Sequence, residues 1–524
     1  MADFLDKQRT IAQPDFNRWL VPPAALAIHL SIGMAYGFSV FWLPLSRAIG
    51  ITAPAVGDWK ISTLGWTFTL FIVVLGLSAA IFGGWVERNG PRKAAVVAAL
   101  GWSGGLFLAA LGVYYHQILL LWLGGGVVGG CGLGLAYISP ISTLIKWFPD
   151  KRGMATGMAI MGFGGGAMIG APLADKLMKH FSSATSVGVW ETFVVLGVIY
   201  LIAMLAGAFT YRIPPTGWQP HGWTPPPKTS NSMITHGHVH VNIVHRTPQF
   251  WLLWAVLCLN VSAGIGIISM ASPMLQEIFG GKLLGVATAF AALTLEQKAK
   301  IASIGAGFAG LLSLFNIGGR FFWASLSDHI GRKPTFILFF ALGIVAYGIA
   351  AVTGQSPHTA WFVAMFCIIL SMYGGGFATL PAYVADLFGT QFVSAIQGRL
   401  LTAWATAGII GPVLVNYLRE FQLQRGVAPE AAYNLTLYIS AGLLLLGLFC
   451  NLLVRPVADR FFMGTEELAK ERQLGLNGAA VTVCKSAPPA AVSWLAVAFA
   501  WAAVGLPLAW GIFKTVEKAS AFFR

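Results

Sequence analysis

One residue in this 524-residue chain has no ordinary reason to be where it is. Arg320 lies inside the apolar run 301–327, eight positions before Asp328 at the end of that run. Eight helical residues cover about 12 Å, which puts Arg320 near the middle of a bilayer. A guanidinium stays charged there and is costly unless it is paired or faces water. The runs 301–327 and 397–418 carry no acid at that depth, and one turn before Arg320 stands Asn316. The missing counter-ion is therefore expected to be the substrate, and a carboxylate fits a guanidinium fork through two hydrogen bonds. The plain alternative is an arginine tied to helix-end carbonyls.

Other residues could complete such a site. Tyr36, Tyr137 and Tyr373 stand at depths from which their hydroxyls could donate to a carboxylate while their rings shape a small cavity; as plain packing tyrosines they would do neither. Asn260 and Asn316 are polar at mid-depth, and hydrogen bonding between helices is their alternative use. His29 is the histidine near mid-depth, and an imidazole that titrates near neutrality could carry a coupling proton; a structural histidine is the competing reading. His236, His238 and His240 alternate along a polar segment that also holds His245, which would put the first three on one face of an extended chain, but no obvious fourth ligand completes them and no metal site is expected. No nucleophile triad, phosphate loop or cofactor motif stands out, so the chain is not read as an enzyme.

These residues need elements to hold them. The chain is 56% hydrophobic and only 10% charged, well below the charge of soluble domains. Thirteen apolar runs, near 20–46, 62–84, 94–115, 118–145, 153–174, 188–211, 250–275, 301–327, 334–353, 360–383, 397–418, 433–454 and 491–513, are each long enough to cross a bilayer. In lipid they must be helices, and their many glycines let helices pack closely. The net charge of +14 falls between the runs, as membrane topology wants, which excludes a nucleic-acid partner. Of the five cysteines, Cys131, Cys258, Cys367 and Cys450 sit in apolar runs and Cys484 in the tail, which argues against a disulfide framework.

The order of the runs suggests residues 1–211 as a first six-helix half, 212–249 as a proline-containing linker, 250–455 as a second half, and 456–524 as a tail with a candidate thirteenth helix. Glu87 and Asp328 are 241 residues apart; so are Gly90 and Gly331, and Pro140 and Pro381. A constant offset at separate landmarks marks an internal duplication, a known transporter plan. The loops after the second, fourth and eighth runs carry Arg88, Arg92, Lys93, Lys146, Lys151, Arg152, Arg332 and Lys333, whereas 116–117 and 354–359 carry neither Lys nor Arg. The basic loops and the N-terminus are thus expected in the cytoplasm. In the fourth-to-fifth loop, Pro149 stops one helix and Asp150 is expected to cap the next. The apolar stretch 283–293 is too short to span. A crossing thirteenth run would leave Lys514, Lys518 and Arg524 outside, against the charge rule, so a surface or re-entrant helix is its alternative.

Glu87-Arg88-x-Gly90-x-Arg92-Lys93 and Asp328-x-x-Gly331-Arg332-Lys333 resemble the loop signature of the major facilitator superfamily. The second copy departs from it, with His329 where an arginine is usual and Ala324 where a glycine is. Within that superfamily the stretches 137–167, 316–333 and 385–412 look most like the oxalate/formate antiporter family, kin of monocarboxylate transporters. The resemblance covers roughly residues 18–455 and implies an all-α polytopic membrane protein of the major facilitator fold with two pseudo-symmetric six-helix halves; the extra C-terminal hydrophobic helix lies outside it. It implies that Glu87, Arg88, Gly90, Arg92, Asp328, Gly331 and Arg332 serve conformational loops, that Arg320 binds a substrate carboxylate, and that Tyr36 and Tyr137 line the site. Trp404 stands where the oxalate pattern has a lysine, and a lone arginine suits a monoanion better than a dianion. Arg399, one or two turns into the eleventh run, is the other cation nearby. Asn316 stands where proton-coupled relatives carry an aspartate. The expected function is alternating-access transport of a small monocarboxylate such as formate, lactate or pyruvate, with a proton or counter-anion as possible partner. Exchange of dicarboxylates, or a non-transporting sensor on the same scaffold, is the alternative. The expected setting is a bacterial inner membrane, as a monomer without cofactor.

Overall fold

The computed structural model describes residues 2–520 except 14, 53, 216, 225–232, 287, 354–358 and 475–491. Cys484, part of the proline-rich linker and most of the 354–359 loop therefore lie outside the described residues. Thirteen long helices appear at the thirteen apolar runs. They are α1 Arg18–Leu45, α2 Ile61–Asn89, α3 Pro91–Tyr114, α4 Ile118–Trp147, α5 Arg152–Phe181, α6 Val189–Thr210, α7 Pro248–Phe279, α8 Leu295–Ile330, α9 Arg332–Thr353, α10 Thr359–Phe388, α11 Val393–Gln424, α12 Asn434–Leu453 and α13 Val492–Ser520. Twelve are long and apolar enough to cross a membrane among the described residues. Helix α8 contains the apolar run 301–327 together with Glu296, Lys298, Lys300, Arg320 and Asp328.

The duplication is visible in backbone geometry. Gly90 has φ 87° and ψ 166°, and Gly331 has φ 90° and ψ 157°. Each is in a region that disfavours any side chain, and each returns its N–H to the carbonyl four residues back, Val86 and Ser327. The halves meet where α2 packs on α11 and α5 packs on α8. Gly157 and Gly398, again 241 apart, permit those contacts. A Cβ at Gly157 would come within 2.8 Å of the Arg320 carbonyl, and one at Gly398 would collide with the Ala79 carbonyl. Arg320 and Ala79 are themselves 241 apart, so one backbone contact is made twice.

The expected cap of α5 is corrected. Asp150 instead pairs with Arg18 at 2.7 Å. The first amides of α5, Gly153 and Met154, donate to the two carboxylate oxygens of Asp328 at 2.8 Å each. A carboxylate at a helix N-terminus satisfies orphan amides and the helix dipole, and here it comes from the other half. Glu87 answers symmetrically by accepting from Ser394 N–H in the first turn of α11 at 2.9 Å.

The stretch 283–293 does not span; short 3-10 turns, Gly280–Leu284 and Phe290–Ala292, fold back against the end of α7. Of the linker, residues 233–245 lie along the basic-loop face, where Thr235 and Val239 amides donate to Asp386 and Phe388 carbonyls at 2.8 and 2.9 Å. His240 reaches Glu471 at 3.5 Å. Arg399 donates to the Val241 carbonyl and so belongs to this strap. Helix α13 packs along α1, α5 and α8.

Candidate functional site

Arg320 is 1% exposed and sits on the α5–α8 seam. Its neighbour Asn316, one turn back on the same helix face, accepts from Nε at 3.0 Å. Nη1 crosses the seam and donates to the Ile160 carbonyl of α5 at 3.0 Å. Phe163 from α5 and Phe377 from α10 lie against the guanidinium, each ring centroid 5.7 Å from Cζ. Such contacts stabilise a cation without neutralising it. Nη2 is buried with no hydrogen-bond partner among the described residues. Neither a helix-end tether nor an ion pair therefore accounts for this arginine; it is held by neutral groups with one nitrogen left over.

The rings around it form a continuous wall. Tyr36 packs edge-on to Phe163 at 5.0 Å and places its hydroxyl 3.4 Å from that of Tyr373, across the two halves. Tyr137 meets Phe163 and Trp404 at 5.6 Å each. Trp404 meets Phe163 at 5.6 Å and Phe377 at 4.8 Å. The Tyr137 hydroxyl and the Trp404 Nε1 are buried without a partner among the described residues. Other buried donors also lack a partner, Trp102 Nε1 and the Tyr200 hydroxyl among them, but those of Arg320, Tyr137 and Trp404 lie around the same Phe163 and Phe377 rings. Unpaired donors of one guanidinium, one phenol and one indole, set among aromatic rings, suit a small anion with little polar surface of its own. Asn316 serves by holding the arginine.

Two expected residues stand apart. His29 is fully buried behind Tyr137, with ring centroids 5.5 Å apart. Its Nδ1 is 3.2 Å from the Ala25 carbonyl and its Nε2 has no partner among the described residues. Asn260 is not brought into the cage: it lies against Gly376 and lines a small hollow behind Tyr373 with Phe339, Tyr347 and Leu444. Sequence reasoning missed Phe163 and Phe377. Each adjoins a glycine triplet, in GFGGG and GGGF, and Phe163 lies 241 residues before Trp404, so the duplication itself could have flagged it.

A second cluster closes the basic face. Glu87 accepts from Lys146 at 2.8 Å, and its carbonyl accepts from Lys7 at 2.7 Å. Burial, then the neighbouring Lys146, pushes the Lys7 ammonium down to about 8 although Glu87 opposes this. Arg332 pairs with Asp328 at 2.6 Å and with Asp386 at 3.1 Å, and donates to Ser327. Arg152, from the other half, takes the second oxygen of Asp386 at 2.8 Å. Arg92 donates to the carbonyls of Phe4 at 3.1 Å and Tyr211 at 3.3 Å, tying down the N-terminal segment. Arg88 is exposed. Sequence reasoning overlooked Asp386 and treated Arg152 only as a topological anchor; their pairing across 234 residues has no local signature.

A family model described as Major Facilitator Superfamily matches residues 16–412. The oxalate:formate antiporter of Oxalobacter formigenes is 28% identical over 401 residues, covering 75% of this chain and 83% of that protein. Human monocarboxylate transporter 11 is 22% identical over 409 residues, 77% of each chain. The crystal structure of the transporter FucP in its outward conformation superposes with a TM-score of 0.57 at 14% identity, over 83% of this chain and 99% of that one.

Proposed function

The chain belongs to the major facilitator superfamily, and from that premise we propose that it carries a small monocarboxylate across a membrane by alternating access. The observation that carries this reading is the state of Arg320: a buried cation held by neutral groups, with Nη2 and the nearby Tyr137 and Trp404 donors unpaired. In this reading one carboxylate oxygen takes Nη2, and the Tyr137 phenol and Trp404 indole donate to the other. Nη1 can join only by leaving the Ile160 carbonyl, so anion binding and separation of α5 from α8 draw on the same nitrogen. The likeness to an oxalate:formate antiporter and to a monocarboxylate transporter supports a carboxylate substrate. The lone cation favours a monoanion, since a dianion would keep one charge uncompensated in an aromatic cage.

In this reading the basic face is cytoplasmic, as the charge of its loops favours, and the setting is a bacterial inner membrane. The ion pairs of Asp386 and the crossed caps of Glu87 and Asp328 close that face. His29 lies behind Tyr137 and outside the cage, so a coupling proton on it would act through that ring; His29→Gln is expected to abolish the pH dependence of net uptake while sparing exchange, and unchanged pH dependence would reject the role.

The deciding experiment reconstitutes the purified protein in liposomes. Formate, lactate or pyruvate uptake is expected, inhibited by anionic but not neutral analogues, and at least 100-fold slower in Arg320→Ala. Full uptake by Arg320→Ala at normal expression would end the anchor claim. Oxalate competing better than every monoanion would favour the dicarboxylate reading, and no uptake at all would favour a sensor.

A further inference from the structure

Helix α13 is not used by the carrier as described so far. It lies on the outside of the bundle against α1, α5 and α8, and so touches both halves over the α5–α8 seam. Its hydrogen bond and its cation–π contact with the bundle go to the first half. Toward the first half, Trp501 Nε1 donates to the Trp19 carbonyl at 3.2 Å near the basic face. Near the opposite face, the Lys176 ammonium lies 5.2 Å from the centroid of Trp510. Gly511 rests on the α5 backbone, where a Cβ would be 3.2 Å from the Met168 carbonyl. Toward the second half, the contact at Gly310 of α8 is a methyl: a Cβ there would be 3.0 Å from Thr515 Cγ2.

Between these points Leu508 sits on Gly165, 2.8 Å from where its Cβ would be. The adjacent residue, Gly164, faces the site: a Cβ there would be 3.2 Å from Arg320 Nε. The thirteenth helix therefore backs the segment of α5 that walls the arginine, one residue removed from it.

We propose that α13 is a clamp over the α5–α8 seam, carried with the first half and sliding on α8 at the Thr515–Gly310 contact. A hydrogen bond and a cation–π contact are directional and fix α13 in one place against α1 and α5. A methyl against a glycine has no directional bond and reseats at little cost. The clamp keeps lipid out of the seam at the level of Arg320 and bounds how far the seam opens. This goes beyond the carboxylate reading but rests on its alternation between two faces.

Paired cysteines test it. In Gly310→Cys/Thr515→Cys, oxidation to a disulfide is expected to lower initial uptake at least tenfold, with recovery on adding reductant. In Met168→Cys/Gly511→Cys, the disulfide is expected to leave more than half of the uptake. Uptake unchanged by the first bridge, or abolished by the second, overturns the clamp. Spin labels on the same pairs in membranes read the motion without any substrate. Two distances for 310–515 and one for 168–511 are expected, and any other combination overturns the proposal even if no carboxylate is transported. Failure of transport in the unbridged protein, with the label distances as expected, would instead fall on the carboxylate reading alone.

Discussion

The two halves share a backbone and differ in charge. Gly90 and Gly331 turn alike, Gly157 and Gly398 meet the same kind of carbonyl, and Glu87 and Asp328 each cap a helix of the other half. Phe163 and Trp404 occupy equivalent positions and face each other at 5.6 Å. Against that symmetry, Arg320 has Ala79 as its counterpart. The repeated features build two bodies that can rock, because each half grips the other by the same rule. The unrepeated one gives the seam a buried cation.

The caps and the ion pairs teach a related difference. The crossed caps occur in both halves, whereas Asp386 has Ile145 at its equivalent position and its pairing with Arg152 and Arg332 is made once. Closure of the basic face is thus partly symmetric and partly a device of the second half.

The largest expected effect breaks the comparison where it is least symmetric. Arg320→Ala is expected to slow uptake at least 100-fold, whereas Ala79→Ser at the equivalent place should change initial uptake less than twofold. An equal loss from both would show the cage to be merely structural. Asp386→Asn comes next. Removing one partner of a buried pair costs about 3 kcal/mol, so thermal unfolding should fall accordingly and a cysteine probe at Thr390 should label faster. Unchanged labelling would remove Asp386 from the gate.

Trp404→Phe keeps the ring and removes the indole donor. A hydrogen bond to substrate is worth about 1 kcal/mol, so KM for the monocarboxylate should rise about fivefold with little change in kcat. An unchanged KM would leave Trp404 a packing residue like its counterpart Phe163. The smallest effect concerns Lys7. Its folded value, about 8, lies below its ordinary 10.5, so between these values the undocked segment binds more protons. Docking of the N-terminal segment should therefore tighten as pH rises through that window, with the full cost of burying the ammonium present below it. Protease protection of residues 2–12 should rise with pH in the parent and stay flat in Lys7→Met.

Much of this was legible in the chain. The thirteen helices follow from apolar length, and the duplication from the 241-residue offset, because both are properties of consecutive residues. Arg320 stood out because a charge in an apolar run is costly wherever the helix ends up. Composition likewise set a membrane setting apart from a soluble one.

Tertiary structure decided the rest, since its partners lie far apart in the chain. Only packing could show that Nη1 is bound by Ile160 from the other half, leaving Nη2 as the open donor. Asp150, adjacent to its expected helix, lost that cap to Asp328 because a pair with Arg18 was available and a carboxylate from across the seam could reach two amides at once. Asn260 faces a hollow lined by Phe339, Tyr347 and Leu444 rather than the cage, since position along a span is read from the sequence and facing is set by neighbours. Hydrophobic length and spacing are summed along the chain and can be read there; which donor is left unpaired depends on every group brought near it, and that is known only once the helices have met.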